Sequence, residues 1–158
     1  MDYFQGVVTE YLVADRASFV NTELLLQLDA GNPEKGRHWY CDAAAVNFRE
    51  KTLFLCEVTY SKSMAALARR FLSWNENWCE LRTAISRDCG IPRDWIVQPW
   101  AFVPKAYSDI LKSKIGEIPK SMPTPDVMPY PRITHLELVV PWEYVTWDRK
   151  VTTLEDDD

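Results

Sequence analysis

Two apolar runs, each with one acid at its end, constrain this chain more than any other feature. Asp42 opens Ala43-Ala44-Ala45-Val46, and Glu57 closes Leu53-Phe54-Leu55-Cys56. Short runs of this kind read as strands, over His38–Val46 and Thr52–Tyr60. The segment between them, Asn47–Lys51, is polar and brief, which predicts a hairpin. Strands this apolar are expected to be buried on both faces. A sheet covered on both faces needs helices on each side, and that predicts an α/β domain.

The rest of the chain supplies those helices. Gly6–Leu28 reads as helix, with Val7, Val8, Tyr11, Leu12, Phe19, Val20, Leu24 and Leu28 as its apolar face and a break near Asp15–Ser18. Ala30-Gly31-Asn32-Pro33 is the expected stop. Met64–Cys89 is the clearest helix: Met64, Leu67, Phe71, Trp74, Trp78, Leu81 and Ile85 mark one face, and Gly90 and Pro92 end it. Asp94–Val103 is a further strand, and Pro99 predicts an edge or a bulge there. Beyond Pro104 the pattern gives a helix over Tyr107–Ile115, a proline-rich loop over Pro119–Pro131, a strand over Ile133–Val140 and an aromatic stretch over Pro141–Trp147. Residues 1–104 are therefore expected to form the core. Residues 105–150 are too short to stand alone and should pack onto it. Residues 151–158 read as a solvated acidic tail.

The acids gain meaning from the hairpin. If its loop is symmetric about Arg49/Glu50, Asp42 lies directly opposite Glu57. Opposed residues hold their Cβ atoms about 4.5–5.5 Å apart. Two carboxylates that close repel, and one takes a proton unless a cation lies between them. Mg²⁺ prefers oxygen ligands of this kind. Arg49-Glu50 lacks the Asn-Gly chemistry of a tight turn, so the competing reading is a shifted register with both acids facing solvent. Against it stands the cost of placing a charge within apolar strands.

These residues resemble the PD-(D/E)xK nuclease superfamily, which includes restriction endonucleases, Holliday-junction resolvases and Mrr-like enzymes. The resemblance rests on Asp42-Ala43-Ala44-Ala45-Val46-Asn47-Phe48 followed by Thr52-Leu53-Phe54-Leu55-Cys56-Glu57-Val58-Thr59-Tyr60-Ser61-Lys62. Upstream, Gly6-Val7-Val8-Thr9-Glu10 is similar to the family's first helix, and the order helix, hairpin, helix, strand matches its core. The resemblance covers roughly the first two-thirds of the chain. It implies a restriction endonuclease-like fold and hydrolysis of DNA phosphodiester bonds with Mg²⁺ or Mn²⁺. Asp42 and Glu57 would be metal ligands, with Glu10 a third acid acting directly or through water. The pattern departs at Thr59, which stands where the family has its lysine. Thr59 can hydrogen-bond a water but carries no charge to set against the developing charge on phosphate. Lys62 is the nearest replacement, with Arg69 and Arg70 as second choices. The same departure supports an alternative, in which the fold persists as a binding or assembly module that no longer cleaves.

Charge sets limits on partners. The net charge of −5 includes the last four residues, all acidic, whereas Tyr60–Arg93 holds six bases against three acids. Local field matters more than net charge for phosphate contacts, so acidity does not exclude DNA. Family nucleases are often dimers, which adds a homodimer to the expectations, and Trp142, Tyr144 and Trp147 would anchor a protein partner if exposed. Cys41, Cys56, Cys79 and Cys89 form no C-x-x-C pair and read as reduced core residues. Ser61 and Ser63 read as helix caps before Met64 rather than nucleophiles. No run is long enough to span a bilayer, and Met1–Gln5 is no leader, so the cytosol is the expected compartment.

Overall fold

The computed structural model describes residues 2–29 and 36–144. Helix α1 (Tyr3–Val13) is followed by strands β1 (Ser18–Gln27), β2 (His38–Asn47) and β3 (Thr52–Val58). Helices α2 (Ala65–Glu76) and α3 (Trp78–Cys89) lead to β4 (Ile96–Val103), then α4 (Lys105–Lys114) and β5 (Arg132–His135). The five strands form one sheet in the order β1-β2-β3-β4-β5. Strand β2 is antiparallel to both β1 and β3, and β4 and β5 run parallel to β3. The architecture is thus a mixed sheet flanked by helices.

The two-sided burial read from the sequence is present. On one face Leu53, Leu55, Val97 and Val103 pack against Leu67, Phe71, Trp74, Leu81 and Ile85 of α2 and α3 and Leu111 of α4. On the other, Phe54, Cys56, Trp100 and Phe102 pack against Val8, Tyr11 and Leu12 of α1. All of β3 up to Glu57 is buried. Residues after Pro104 complete this sheet, since β5 pairs with Trp100–Val103 and Leu111, Ile115, Ile118 and Ile133 join the first core.

Several elements differ from the sequence reading. The expected helix Gly6–Leu28 is helix only to Val13, and its second half is strand β1. Asp15 causes the change: its carboxylate accepts from Ala17 N–H at 2.9 Å and its carbonyl from Ser18 N–H at 2.9 Å, which turns the chain. The Ala30–Pro33 stop lies outside the described residues. The helix Met64–Cys89 is two helices, bent at Asn77, whose backbone leaves helical values at φ −110° and ψ 22°. Gly90 ends α3 at φ 70°, as its position predicts. Pro99 sits inside the sheet, yet it precedes Trp100, where β5 begins to pair, so its missing N–H falls where one side of β4 is open. The strand expected over Ile133–Val140 stops at His135 and continues as a 3₁₀ turn, Leu136–Leu138. Cys41 and Cys56 are core residues, but Cys79 and Cys89 are exposed because they lie on the outer side of α3 and in its last turn.

Candidate functional site

Everything at this site follows from hairpin register. Ala43 pairs with Cys56, Ala44 with Leu55, and the ladder closes on Asn47 and Thr52. Continued by one pair, this is the symmetric register that sets Asp42 opposite Glu57. What pins it is Asn47: its Oδ1 accepts from Glu50 N–H at 2.9 Å, and Lys51 takes the left-handed conformation at φ 50°. The signal lay in Asn47 rather than in Arg49-Glu50.

Asp42 sits where the sheet changes face. Val20 of β1 and Ala43 and Ala45 of β2 pack on the α1 side, whereas Leu24 and Cys41 pack on the α2/α3 side. Strict alternation would keep each set on one face. The switch falls at Glu23 and Asp42, and Glu23 is left-handed at φ 57° while the pairing on either side keeps one register. A non-glycine residue there costs roughly 1–2 kcal/mol. The β2–β3 ladder ends at Ala43 and Cys56, and Asp42 Oδ2 instead accepts from Val58 N–H at 2.8 Å. Its Oδ1 accepts from Gln5 Nε2 at 3.1 Å.

Glu57 lies beneath helix α2, its side chain 4% exposed. Its Oε1 accepts from Arg70 Nη1 at 2.7 Å, and the same nitrogen reaches the Tyr40 carbonyl at 3.2 Å. Burial and then the neighbouring Asp42 charge push the Glu57 pKa up to about 8, with Arg70 pulling the other way. The carboxyl is also hydrogen-bonded to Asp42. At neutral pH Glu57 therefore holds its proton more often than not. The centre is a hydrogen-bonded carboxyl pair, with one guanidinium on Glu57 and one side-chain amide on Asp42.

The other expected participants fall elsewhere. Glu10 is exposed on α1, and the α1 residue that reaches Asp42 is Gln5, whose Oε1 also accepts from Asp2 N–H in a capping box. Among the described residues no three of His, Cys, Asp and Glu come together in a group that could hold a metal ion. Thr59 is half-buried just past β3, where its hydroxyl accepts from Ser61 N–H at 3.2 Å. Lys62 is exposed in the following turn. The cation at the acids is Arg70, not Lys62. Ser63 Oγ accepts from Ala65 N–H at 3.3 Å in the turn before α2, but the N-cap is Met64, left-handed at φ 56°, and no side chain caps the helix as the sequence led us to expect. As arranged, both Asp42 oxygens and Glu57 Oε1 are taken by protein donors, and the acids do not fit Mg²⁺ or Mn²⁺ unless Arg70 withdraws.

Exposed aromatics flank this centre. Tyr3, Tyr40 and Tyr60 are largely exposed, and Phe4, next to Gln5, packs on Tyr60 with ring centres 4.9 Å apart and planes tilted by 45°. In the C-terminal segment Trp142 is 79% exposed, Tyr144 packs edge-on against Tyr11, and Trp147 lies outside the described residues, as does the acidic tail. No described helix is long and apolar enough to cross a membrane. Comparison with protein-family models, with curated proteins and with solved structures gave no match.

Proposed function

We propose that this chain carries a restriction endonuclease-like, PD-(D/E)xK fold whose acidic centre does not cleave, and that it serves as a DNA-binding or assembly module. One observation carries the reading: Arg70 occupies Glu57 where a divalent cation would have to sit. Thr59 in the place of the lysine and the exposed position of Glu10 support it. The element order supports the fold from the hairpin onward, where β2 and β3 are followed by helices and then β4 as the resemblance implies, although β1 intervenes between α1 and the hairpin. Tyr3, Tyr40 and Tyr60 offer faces on which bases can stack, and the exposed Lys62 and Arg69 supply charge for phosphates.

The facing of Asp42 and Glu57 favours a second reading, a Mg²⁺- or Mn²⁺-dependent nuclease in which Arg70 moves aside. Plasmid and linear DNA incubated with the protein and either ion separate the two. The module reading expects DNA retention without cleavage, weakened in Tyr60→Ala. Cleavage abolished by both Asp42→Ala and Glu57→Ala would establish the nuclease instead.

A further inference from the structure

We propose that a small cavity at the far end of the sheet from the acidic centre binds one inorganic phosphate ion. The cavity lies between α3, the turn into β4 and the proline-rich segment, and Arg82, Ser86, Arg93, Pro125 and Asp126 line it. It encloses about 50 Å³. One water needs about 10–15 Å³, so the space suits a group larger than a single water. The site is separate from the acids. Trp95 at its wall precedes Ile96, which is level with Thr52, whereas Glu57 is level with Ala101, five residues or roughly 16 Å further along β4.

Arg82 is the residue that asks for an anion. It lies on the buried side of α3 and is only 7% exposed. Its Nε donates to the Pro125 carbonyl at 3.4 Å, and its Nη2 to the carbonyls of Arg93 and Trp95, at 3.0 and 2.9 Å. These bonds fix the guanidinium but set no charge against it. Its Nη1 is buried with no hydrogen-bond partner. Among the described residues, neither Arg82 nor Arg93 belongs to an ion pair. A buried charge left in this state is costly. Burial and then the Arg93 charge pull the Arg82 pKa down, with Asp126 opposing, so the two cations stand close enough to repel. Ser86, one turn further along α3, adds a second observation: its Oγ is also buried without a partner. A helical serine or threonine often bonds the carbonyl four residues back, as Thr83 does with Cys79 at 3.0 Å. Residues four apart share a helix face, and both orphaned groups border this one cavity.

Two guanidinium groups and a hydroxyl around one small space match a tetrahedral oxyanion. Asp126 narrows the choice, because a carboxylate repels a bare oxyanion and accepts from one that keeps an O–H. Inorganic phosphate keeps at least one proton at pH 7, and sulfate keeps none. A phosphate monoester has mostly lost its own, since its second pKa is about 6. With hydrogen phosphate bound, α3, the turn before β4 and the proline-rich segment share one counter-ion.

The test is calorimetric titration of sodium phosphate, sodium sulfate and methyl phosphate at pH 7 and fixed ionic strength, with melting curves alongside. We expect saturable binding of one phosphate per chain and a raised Tm, with affinity about tenfold weaker in Arg93→Gln and in Ser86→Ala. In phosphate-free buffer Ser86→Ala should keep the wild-type Tm, because the hydroxyl it removes has no partner there, and this separates a lost ligand from a lost fold. Asp126→Asn should let sulfate bind as tightly as phosphate. Absence of saturable phosphate binding would overturn the proposal and leave the cavity to water. Phosphate binding indifferent to both Arg93→Gln and Ser86→Ala would overturn it as well. So would a wild type that takes sulfate or methyl phosphate as tightly as phosphate, or an Asp126→Asn variant that still excludes sulfate.

Discussion

Glu57 is the residue on which chemistry and stability meet. Its carboxyl titrates near 8 in the fold, against 4.5 for the free side chain, because burial and Asp42 both oppose its charge. Below about pH 4.5 folded and unfolded chains both carry the proton and nothing is lost. Between those values the unfolded chain releases a proton that the folded chain keeps, so stability falls as pH rises, by about 1.4 kcal/mol per unit. Above 8 the loss is complete and the curve levels. Urea unfolding at pH 5.5 and 7.5 should show this decline in the wild type, and Glu57→Gln should remove the part due to this group. An identical slope in the variant would place the proton elsewhere. The acids themselves were legible in the sequence because a charge beside an apolar strand is costly unless a partner holds it there. Arg70 was nearly so: it stands three residues after Leu67 and four before Trp74, on the flank of the buried stripe, whereas Lys62 precedes the helix and is nearer only along the chain. Gln5 gave no such signal, since its contact with Asp42 crosses from α1 to β2.

At the scale of elements, the hairpin was legible and β1 was not. Phe19, Val20, Leu24 and Leu28 satisfy a helical spacing, whereas the alternation over Ser18–Gln27 is in the burial and not in the residue types, and in the fold Phe19 is 64% exposed at the sheet edge. Pairing with β2 decided between the two patterns, and that information is not local. The bend at Asn77 was hidden for a related reason. The apolar stripe runs through it without interruption, while Asn77 accepts from Arg37 Nη1 at 3.0 Å and donates through Nδ2 to the Ser73 carbonyl at 2.8 Å. Asn47 has the larger energetic role. It is fully buried, accepts from Glu50 N–H, and donates to Ser18 Oγ at 3.0 Å and Asp15 Oδ2 at 3.3 Å, joining the hairpin turn to the start of β1. Asn47→Ala leaves several buried groups without partners and should cost about 3 kcal/mol by denaturant unfolding. A loss under about 0.5 kcal/mol, the range of neutral surface changes, would mean that the strands set their register without it.

Taken whole, the molecule is one sheet between two cores, and the segment after Pro104 belongs to both. Leu111, Ile115 and Ile133 close the α2/α3 side, and Leu136 and Val139 close the α1 side. The sequence presented this segment as an extension because five prolines interrupt its pattern, and the pairing of β5 with β4 is set by contacts remote in the chain. This framework holds Asp42 and Glu57 together while α2 brings Arg70 onto the Glu57 carboxyl. The functional reading therefore turns on whether Arg70 excludes the metal. Calorimetric titration of Mn²⁺ at pH 7 into the wild type, Arg70→Ala and Arg70→Ala/Asp42→Ala measures this directly. Removing the guanidinium should strengthen Mn²⁺ binding by about tenfold or more, with proton release as Glu57 ionises, and the further loss of Asp42 should abolish it. Equal or weaker binding in Arg70→Ala would contradict the assignment of Arg70 as the group that holds the cation's place.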